Sequence, residues 1–118
     1  MRVIAGKAKG RILKSPRGLR TRPMTELARG ALFSILEAVA QDWSRVLDLY
    51  SGTGSLGIEA LSRDAGEVDF VEQHNACCKI IKENLETTGF AEQGRVYCKS
   101  VTGALSFLSG KYGLVLVD

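Results

Sequence analysis

The residues best suited to chemistry lie in one stretch, Val46-Leu47-Asp48-Leu49-Tyr50-Ser51-Gly52-Thr53-Gly54-Ser55-Leu56-Gly57-Ile58-Glu59-Ala60-Leu61. It begins apolar and β-prone, passes through glycines and becomes helical. That order predicts a strand, a tight turn and a helix start. Gly52 and Gly54 allow positive φ and let a ligand approach without meeting a Cβ. Gly57 lets the new helix lie close to the strand. The helix N-terminus adds free N–H groups on the same side. Ligands of open parallel sheets bind outside the carboxyl ends of the strands, so a small-molecule site is expected here.

The spacing Gly52-x-Gly54-x-x-Gly57 also satisfies a dinucleotide fingerprint, which is weak evidence alone. Asp48 weighs against that reading. A carboxylate at the strand end repels a pyrophosphate but suits a ligand carrying an ammonium and a sulfonium. S-adenosylmethionine is such a ligand. Glu72 follows Gly52 by twenty residues and closes a second predicted strand. A carboxylate there can accept both hydroxyls of a ribose. Either kind of adenosine ligand has that need, so Glu72 supports a nucleoside without choosing between them. The simpler alternatives are a ligand-free glycine turn and a helix-start acid.

These residues need a frame that gathers them at one edge. A strand is expected over about Arg45–Tyr50, a loop over Ser51–Ser55 and a helix over about Leu56–Arg63. Glu67–Glu72 reads as the second strand. A helix from about Asn75 to Thr87 turns Cys77, Ile80, Ile81 and Leu85 inward and stops at Gly89. Gly94–Cys98 is a third strand, and Ala104, Leu105 and Leu108 mark a short helix. The apolar run Tyr112–Val117 suits a buried parallel strand. Upstream, Thr25 is a good N-cap for a helix through about Ala40. Its apolar residues Leu27, Ala28, Ala31, Leu32, Ile35, Leu36 and Val39 recur at helical spacing, with Phe33 and Leu36 as core candidates. Strands alternating with helices predict an α/β fold with a parallel sheet.

The chain begins with Arg2–Gly6 and Gly10–Lys14, short apolar segments around Lys7-Ala8-Lys9, which suggest a β-hairpin with basic residues on its faces and tip. A turn at Ser15–Gly18 and an extended run to Pro23 follow. Residues 1–24 therefore read as a basic hairpin and arm, and residues 25–118 as the α/β domain. The arm carries eight Lys and Arg and no acid in its first twenty-two residues, while the rest of the chain has eight basic and thirteen acidic residues. A basic arm on a mildly acidic domain implies a polyanionic partner.

At 118 residues, 45% hydrophobic and 25% charged, the chain has the size and composition of one ordinary globular domain. No run is placed like a membrane span or a signal peptide, so a cytoplasmic location is expected. The three cysteines, Cys77, Cys78 and Cys98, lack CxxC spacing. That argues against a disulfide framework or a zinc site and predicts buried, reduced thiols. His74 reads as a surface residue at a helix start.

Taken together, the motifs resemble the bacterial 16S ribosomal RNA guanine-N2 methyltransferase family nearly end to end. Arg2-Val3-Ile4-Ala5-Gly6-x-x-x-Gly10-Arg11 is similar to its opening hairpin. Thr21-Arg22-Pro23, followed by Thr25, Arg29, Leu32-Phe33 and Leu36, is similar to the signature before its first long helix. The run from Asp48 to Ala60 resembles its methyl-donor motif, and Phe70-Val71-Glu72 its ribose acid. The resemblance implies a Rossmann-like class I methyltransferase fold, here a partial sheet with an N-terminal β-hairpin arm.

It also implies roles. S-adenosylmethionine would donate its methyl group to the exocyclic N2 amine of a guanine in small-subunit RNA, without a metal. Asp48 would hold the methionine end, Tyr50, Ser51, Gly52, Thr53 and Gly54 would frame the donor, and Glu72 would hold the ribose. Ser100 stands where the family usually has an acid near the adenine. Arg2, Lys7, Lys9, Arg11, Lys14, Arg17, Arg20 and Arg22 would contact 16S ribosomal RNA or a small-subunit precursor, with no membrane involved. Asp118 matches the first residue of the family's Asp/Asn-Pro-Pro-Tyr/Phe motif, where it would accept the amine hydrogens. The rest of that motif is absent, so the chain looks C-terminally truncated and is expected to be inactive alone. A DNA amino-methyltransferase, a nicotinamide-dependent dehydrogenase domain and a non-catalytic RNA-binding module remain the rival readings.

Overall fold

The computed structural model describes residues 1–16, 24–39, 42–108 and 110–117. The elements run α1 (Glu26–Val39), β1 (Arg45–Leu49), α2 (Ser55–Ser62), β2 (Glu67–Val71), α3 (Asn75–Thr88), β3 (Gly94–Tyr97), α4 (Val101–Leu105) and β4 (Leu114–Val117). The strands form one sheet in the order β3-β2-β1-β4, and every ladder is parallel. Leu49 pairs with Val71 on one side and Val117 on the other, so the carboxyl ends of the strands finish together. That edge carries the β1–α2 loop and Glu72. The alternation of helix and strand predicted this fold class, and the structure has it.

Period-two alternation divides the sheet into two faces. Val46, Val68, Phe70 and Leu116 meet Phe33 of α1, Ile58 and Leu61 of α2, and Ile81 and Leu85 of α3 in the main core. Leu47 and Val71 face the other way onto Ala104 of α4, in a smaller cluster rimmed by Leu49, Tyr97 and Tyr112. Beneath that cluster Tyr112 donates its hydroxyl to Asp69 Oδ2 at 2.6 Å, and the Arg45 guanidinium lies 4.7 Å from the Tyr112 ring centroid. Among the described residues, no helix is long and apolar enough to cross a membrane.

The N-terminal segment does form a hairpin, but a minimal one. Its antiparallel pairing is a single bridge between Arg2 and Ile12, extended by bonds from Val3 N to Arg11 O, Gly10 N to Val3 O and Leu13 N to Met1 O. The turn does not project. Lys7 N donates to Ser62 O at 2.8 Å and Ala8 N to Ser62 Oγ at 2.9 Å, so it lies on the end of α2. Val3, Ala8 and Leu13 belong to the main core.

The anchor of this segment is Glu59, fully buried in α2. Its Oε1 accepts from Ile4 N at 2.9 Å, and its Oε2 accepts from Ala5 N at 3.1 Å and from Arg63 Nε at 2.8 Å. Arg29 of α1, also fully buried, brings Nε to 3.5 Å from Glu59 Oε1 and donates Nη2 to the Arg2 carbonyl. One carboxylate therefore ties α1, α2 and the arm together.

Two expectations need correction. The apolar residues Leu27, Ile35 and Val39 of α1 face outward, Leu27 at 87% exposure, while Arg29 and Phe33 face inward. The helix rotates to deliver Arg29 to Glu59, which an apolar count cannot anticipate. Nor are the cysteines all reduced: Cys78 and Cys98 form a disulfide, with Cα atoms 5.9 Å apart, and Cys77 is the free, buried thiol. The β2-α3-β3 unit brings these two together although twenty residues separate them in sequence. The hairpin turn is docked through its backbone, and its basic side chains Lys7 and Lys9 are exposed as expected.

Two predictions follow from this packing. Glu59→Ala leaves Arg29 buried without its anion, and should lower unfolding free energy by about 3–5 kcal/mol, the range for breaking a buried ion pair. Urea unfolding followed by circular dichroism measures this; a loss below about 1 kcal/mol would show that the cluster is not the anchor. The second prediction concerns alkaline pH. Burial first, and then the hydrogen bond to Asp69, push the Tyr112 phenol up to about 12. The folded state thus holds its proton more tightly than the unfolded chain. That stabilisation is complete below about pH 10, the ordinary phenol value, and is lost as pH rises toward the folded value. Urea midpoints at pH 9 and pH 11 should fall more for the wild type than for Tyr112→Phe.

Candidate functional site

The β1–α2 loop turns sharply at Tyr50, whose φ is +54° and whose ring is 57% exposed. A non-glycine residue in this region costs of order 1–3 kcal/mol and marks a backbone that its surroundings hold in place. The holding contacts are visible. Ser51 N donates to Val71 O at 3.1 Å, and Ser51 Oγ donates to Asp48 O at 2.6 Å. Gly54 N donates to Ser51 O at 2.8 Å, closing the turn. Gly54 caps α2 with φ +82°. A Cβ on Gly57 would stand 2.3 Å from the Phe70 ring, so only glycine lets α2 lie this close to β2.

Glu72 lies where the sequence predicted, at the end of β2 against the loop. Its Oε1 accepts from Gly52 N at 2.9 Å and its Oε2 from His74 N at 2.9 Å. Each oxygen therefore keeps acceptor capacity for a second partner. The residue is 8% exposed, enough to be reached from the crevice and too little to be a surface acid. Its own N–H donates to Tyr97 O at 3.1 Å, which fixes its direction.

Asp48 lies beneath the loop. Its side chain is fully buried, and Oδ2 accepts from Gly57 N at 3.0 Å within the first turn of α2. The carboxylate points under the loop, toward the helix N-terminus where the dipole favours negative charge. It supports the loop from below. Ser100 is exposed and its Oγ accepts from Gly103 N at 3.0 Å, the N-cap of α4. Thr53 is buried, with its hydroxyl near Met1 Sδ.

Of the predicted RNA-contacting residues, Arg2, Lys7, Lys9, Arg11 and Lys14 are described and all are exposed. Lys7 pairs with Asp64 at 3.2 Å and Lys14 with Glu83 at 3.1 Å. Exposed pairs of this kind are worth about 0–1 kcal/mol, so a phosphate can displace the acid. Arg17, Arg20, Arg22 and Asp118 lie outside the described residues.

Sequence reasoning missed Asn84. It lies on α3 between Ile81 and Leu85 in the inward register and is 1% exposed. Its Nδ2 donates to Thr53 O at 3.0 Å and to Lys14 O at 3.1 Å, and its Oδ1 accepts from Lys14 N at 2.8 Å. The available signal was a polar residue in a core position of an amphipathic helix. Such a residue must find partners, since a buried amide without hydrogen bonds is costly.

A family model described as Conserved hypothetical protein 95 matches residues 1–118. The Bacillus subtilis (strain 168) protein YlbH is 39% identical over 105 residues, covering 89% of this chain and 56% of that one. Ribosomal RNA small subunit methyltransferase D of Escherichia coli (strain K12) is 36% identical over 121 residues, covering 100% of this chain and 59% of its own length. Among solved structures, yhhF of Escherichia coli superposes with a TM-score of 0.78 at 32% identity, covering 90% of this chain and 56% of that one. The chain thus spans little more than half the length of these relatives. The match along residues 1–118 shows that the chain belongs to the family described as Conserved hypothetical protein 95.

Proposed function

We propose that the chain is the donor-binding and RNA-engaging part of an S-adenosylmethionine-dependent enzyme that methylates the exocyclic N2 of a guanine in small-subunit ribosomal RNA. The observation that carries this is Glu72 held against Gly52 N at the carboxyl edge of a parallel sheet. A buried pair of oxygens with spare acceptor capacity, reachable from the crevice, fits the adjacent hydroxyls of a ribose. The residues present therefore fit the donor. When bound, S-adenosylmethionine supplies a methyl group on a sulfonium, which needs no further activation.

The chain's own residues divide the remaining work. Glu72 binds the ribose and sets the depth of the nucleoside. The loop from Tyr50 to Gly54 frames the donor, with Tyr50 as its exposed aromatic wall. Asp48 holds the loop from beneath through Gly57 N. Ser100, with its oxygen engaged at Gly103, retains a hydroxyl hydrogen to offer near the adenine. Asp118 follows β4, the strand beside β1, and takes the amine hydrogens of the guanine. The nitrogen lone pair of that amine is delocalised into the ring, so orienting it is the catalytic task. Arg2, Lys7, Lys9, Arg11 and Lys14, with Arg17, Arg20 and Arg22, bind RNA phosphates. A cytoplasmic location belongs to the same reading.

Two measurements test it. Glu72→Ala should weaken S-adenosylmethionine binding by about 1.5–3 kcal/mol, the range for charge-assisted hydrogen bonds, or roughly ten- to a hundredfold. Calorimetry on wild type, Glu72→Ala and Glu72→Gln reads this directly; binding of NAD in preference to the methyl donor would sink the reading. For the arm, affinity for single-stranded RNA should fall with salt at a log–log slope of about −0.7 per neutralised phosphate. Replacing Lys7, Lys9, Arg11 and Lys14 by alanine should flatten that slope and leave donor affinity nearly intact. An unchanged slope would assign the arm to the fold alone.

A further inference from the structure

Asn84 joins two parts of the molecule that are assigned to different ligands. Its side-chain amide grips both backbone groups of Lys14 and, with the same nitrogen, the carbonyl of Thr53 in the glycine loop. Both amide hydrogens are used, so neither partner can move without the other or without losing a buried hydrogen bond. The neighbouring residue on α3, Glu83, holds Lys14 Nζ at 3.1 Å, and that pair is open to solvent. The arm thus has two available states at this point: Lys14 on Glu83, or Lys14 on an incoming phosphate. The Lys14 backbone is the part that Asn84 reads.

We propose that Asn84 is a positioning residue that couples RNA engagement by the arm to the geometry of the donor loop. The inference rests on the donor and RNA assignments above and adds a link between them. A phosphate at Lys14 orders the segment that Asn84 clamps, and the clamp passes that order to Thr53 and the turn beside Gly52. A donor arriving afterward has less loop freedom to remove, so the two ligands favour each other. Linkage makes the effect reciprocal: donor occupancy tightens RNA by the same factor.

The test is calorimetric titration of this chain with S-adenosylhomocysteine, with and without saturating 16S ribosomal RNA. In the wild type, RNA should tighten the nucleoside by about fivefold or more, the lower end of ordinary coupling. Asn84→Leu should abolish that factor while each ligand still binds separately. Asn84→Asp, which keeps the acceptor for Lys14 N and loses both donated bonds, should do the same and serves if the leucine variant fails to fold. A purely structural role would lower stability in these variants and leave the RNA-induced factor intact. The proposal is overturned if the wild type shows no factor or if both variants retain it. Absence of nucleoside binding in every condition would overturn the donor assignment and this coupling together, whereas loss of the factor with binding intact leaves that assignment standing.

Discussion

The buried carboxylate of Glu59 is the interaction on which the rest of the structure depends. It sits in α2, the helix that follows the glycine loop, and it accepts from the backbone of the N-terminal segment while facing Arg29 and Arg63. A charge without solvent must be matched on every side, because the desolvation cost of an unmatched one exceeds what a domain of this size can absorb. The match here comes from α1, α2 and the arm at once. That requirement rotates α1 so that Arg29 faces in and several leucine-sized side chains face out. It also docks the backbone of the hairpin as a strap on the end of α2. An alternative with apolar residues in place of the pair could be equally stable, but it would not demand this arrangement of three segments.

The same economy shapes the candidate site. Asp48, Glu72 and Asn84 all use side-chain groups to satisfy backbone groups of the glycine loop. Asp48 takes Gly57 N, Glu72 takes Gly52 N, and Asn84 gives to Thr53 O. A loop with positive φ at Tyr50, Gly52 and Gly54 cannot satisfy itself by regular secondary structure. Its polar groups must be held by side chains from three different elements. The geometry of the loop therefore depends on every one of these elements, and whatever steadies them lowers the cost of ordering the loop around a ligand. Glu72 closes β2 beside the loop and keeps acceptor capacity beyond its two bonds, as the proposed ribose contact requires.

The disulfide between Cys78 and Cys98 lies at the same edge of the sheet. Cys78 Sγ is 3.0 Å from the Glu72 carbonyl oxygen, and Cys98 precedes Ser100 by two residues. Beside it, Cys77 is kept protonated by burial and by the Glu72 charge, both of which push its thiol up. Adjacent cysteines therefore have different fates because successive helix positions point in directions about 100° apart.

The sequence by itself determined the α/β class, the element order and the meeting of Glu72 with the glycine loop. Those follow from local signals: apolar periods of two and of 3.6, glycines at a strand end, and acids at two strand ends. The parallel order of β1 and β2 then had to bring Glu72 to the glycine loop. What only the tertiary structure decided are the facts that depend on a partner far along the chain. The burial of Arg29 depends on Glu59 lying opposite, and that of Asn84 on Lys14 and Thr53 meeting it. The closeness of α2, permitted by Gly57, lets the Asp48 carboxylate accept from Gly57 N, a contact that no local pattern announces. The cysteine count argued against a disulfide, yet the β2-α3-β3 unit makes Cys78 and Cys98 neighbours. In each case the residue type is plain in the sequence, but its direction is set by charge matching and hydrogen-bond satisfaction across contacts that no local pattern records.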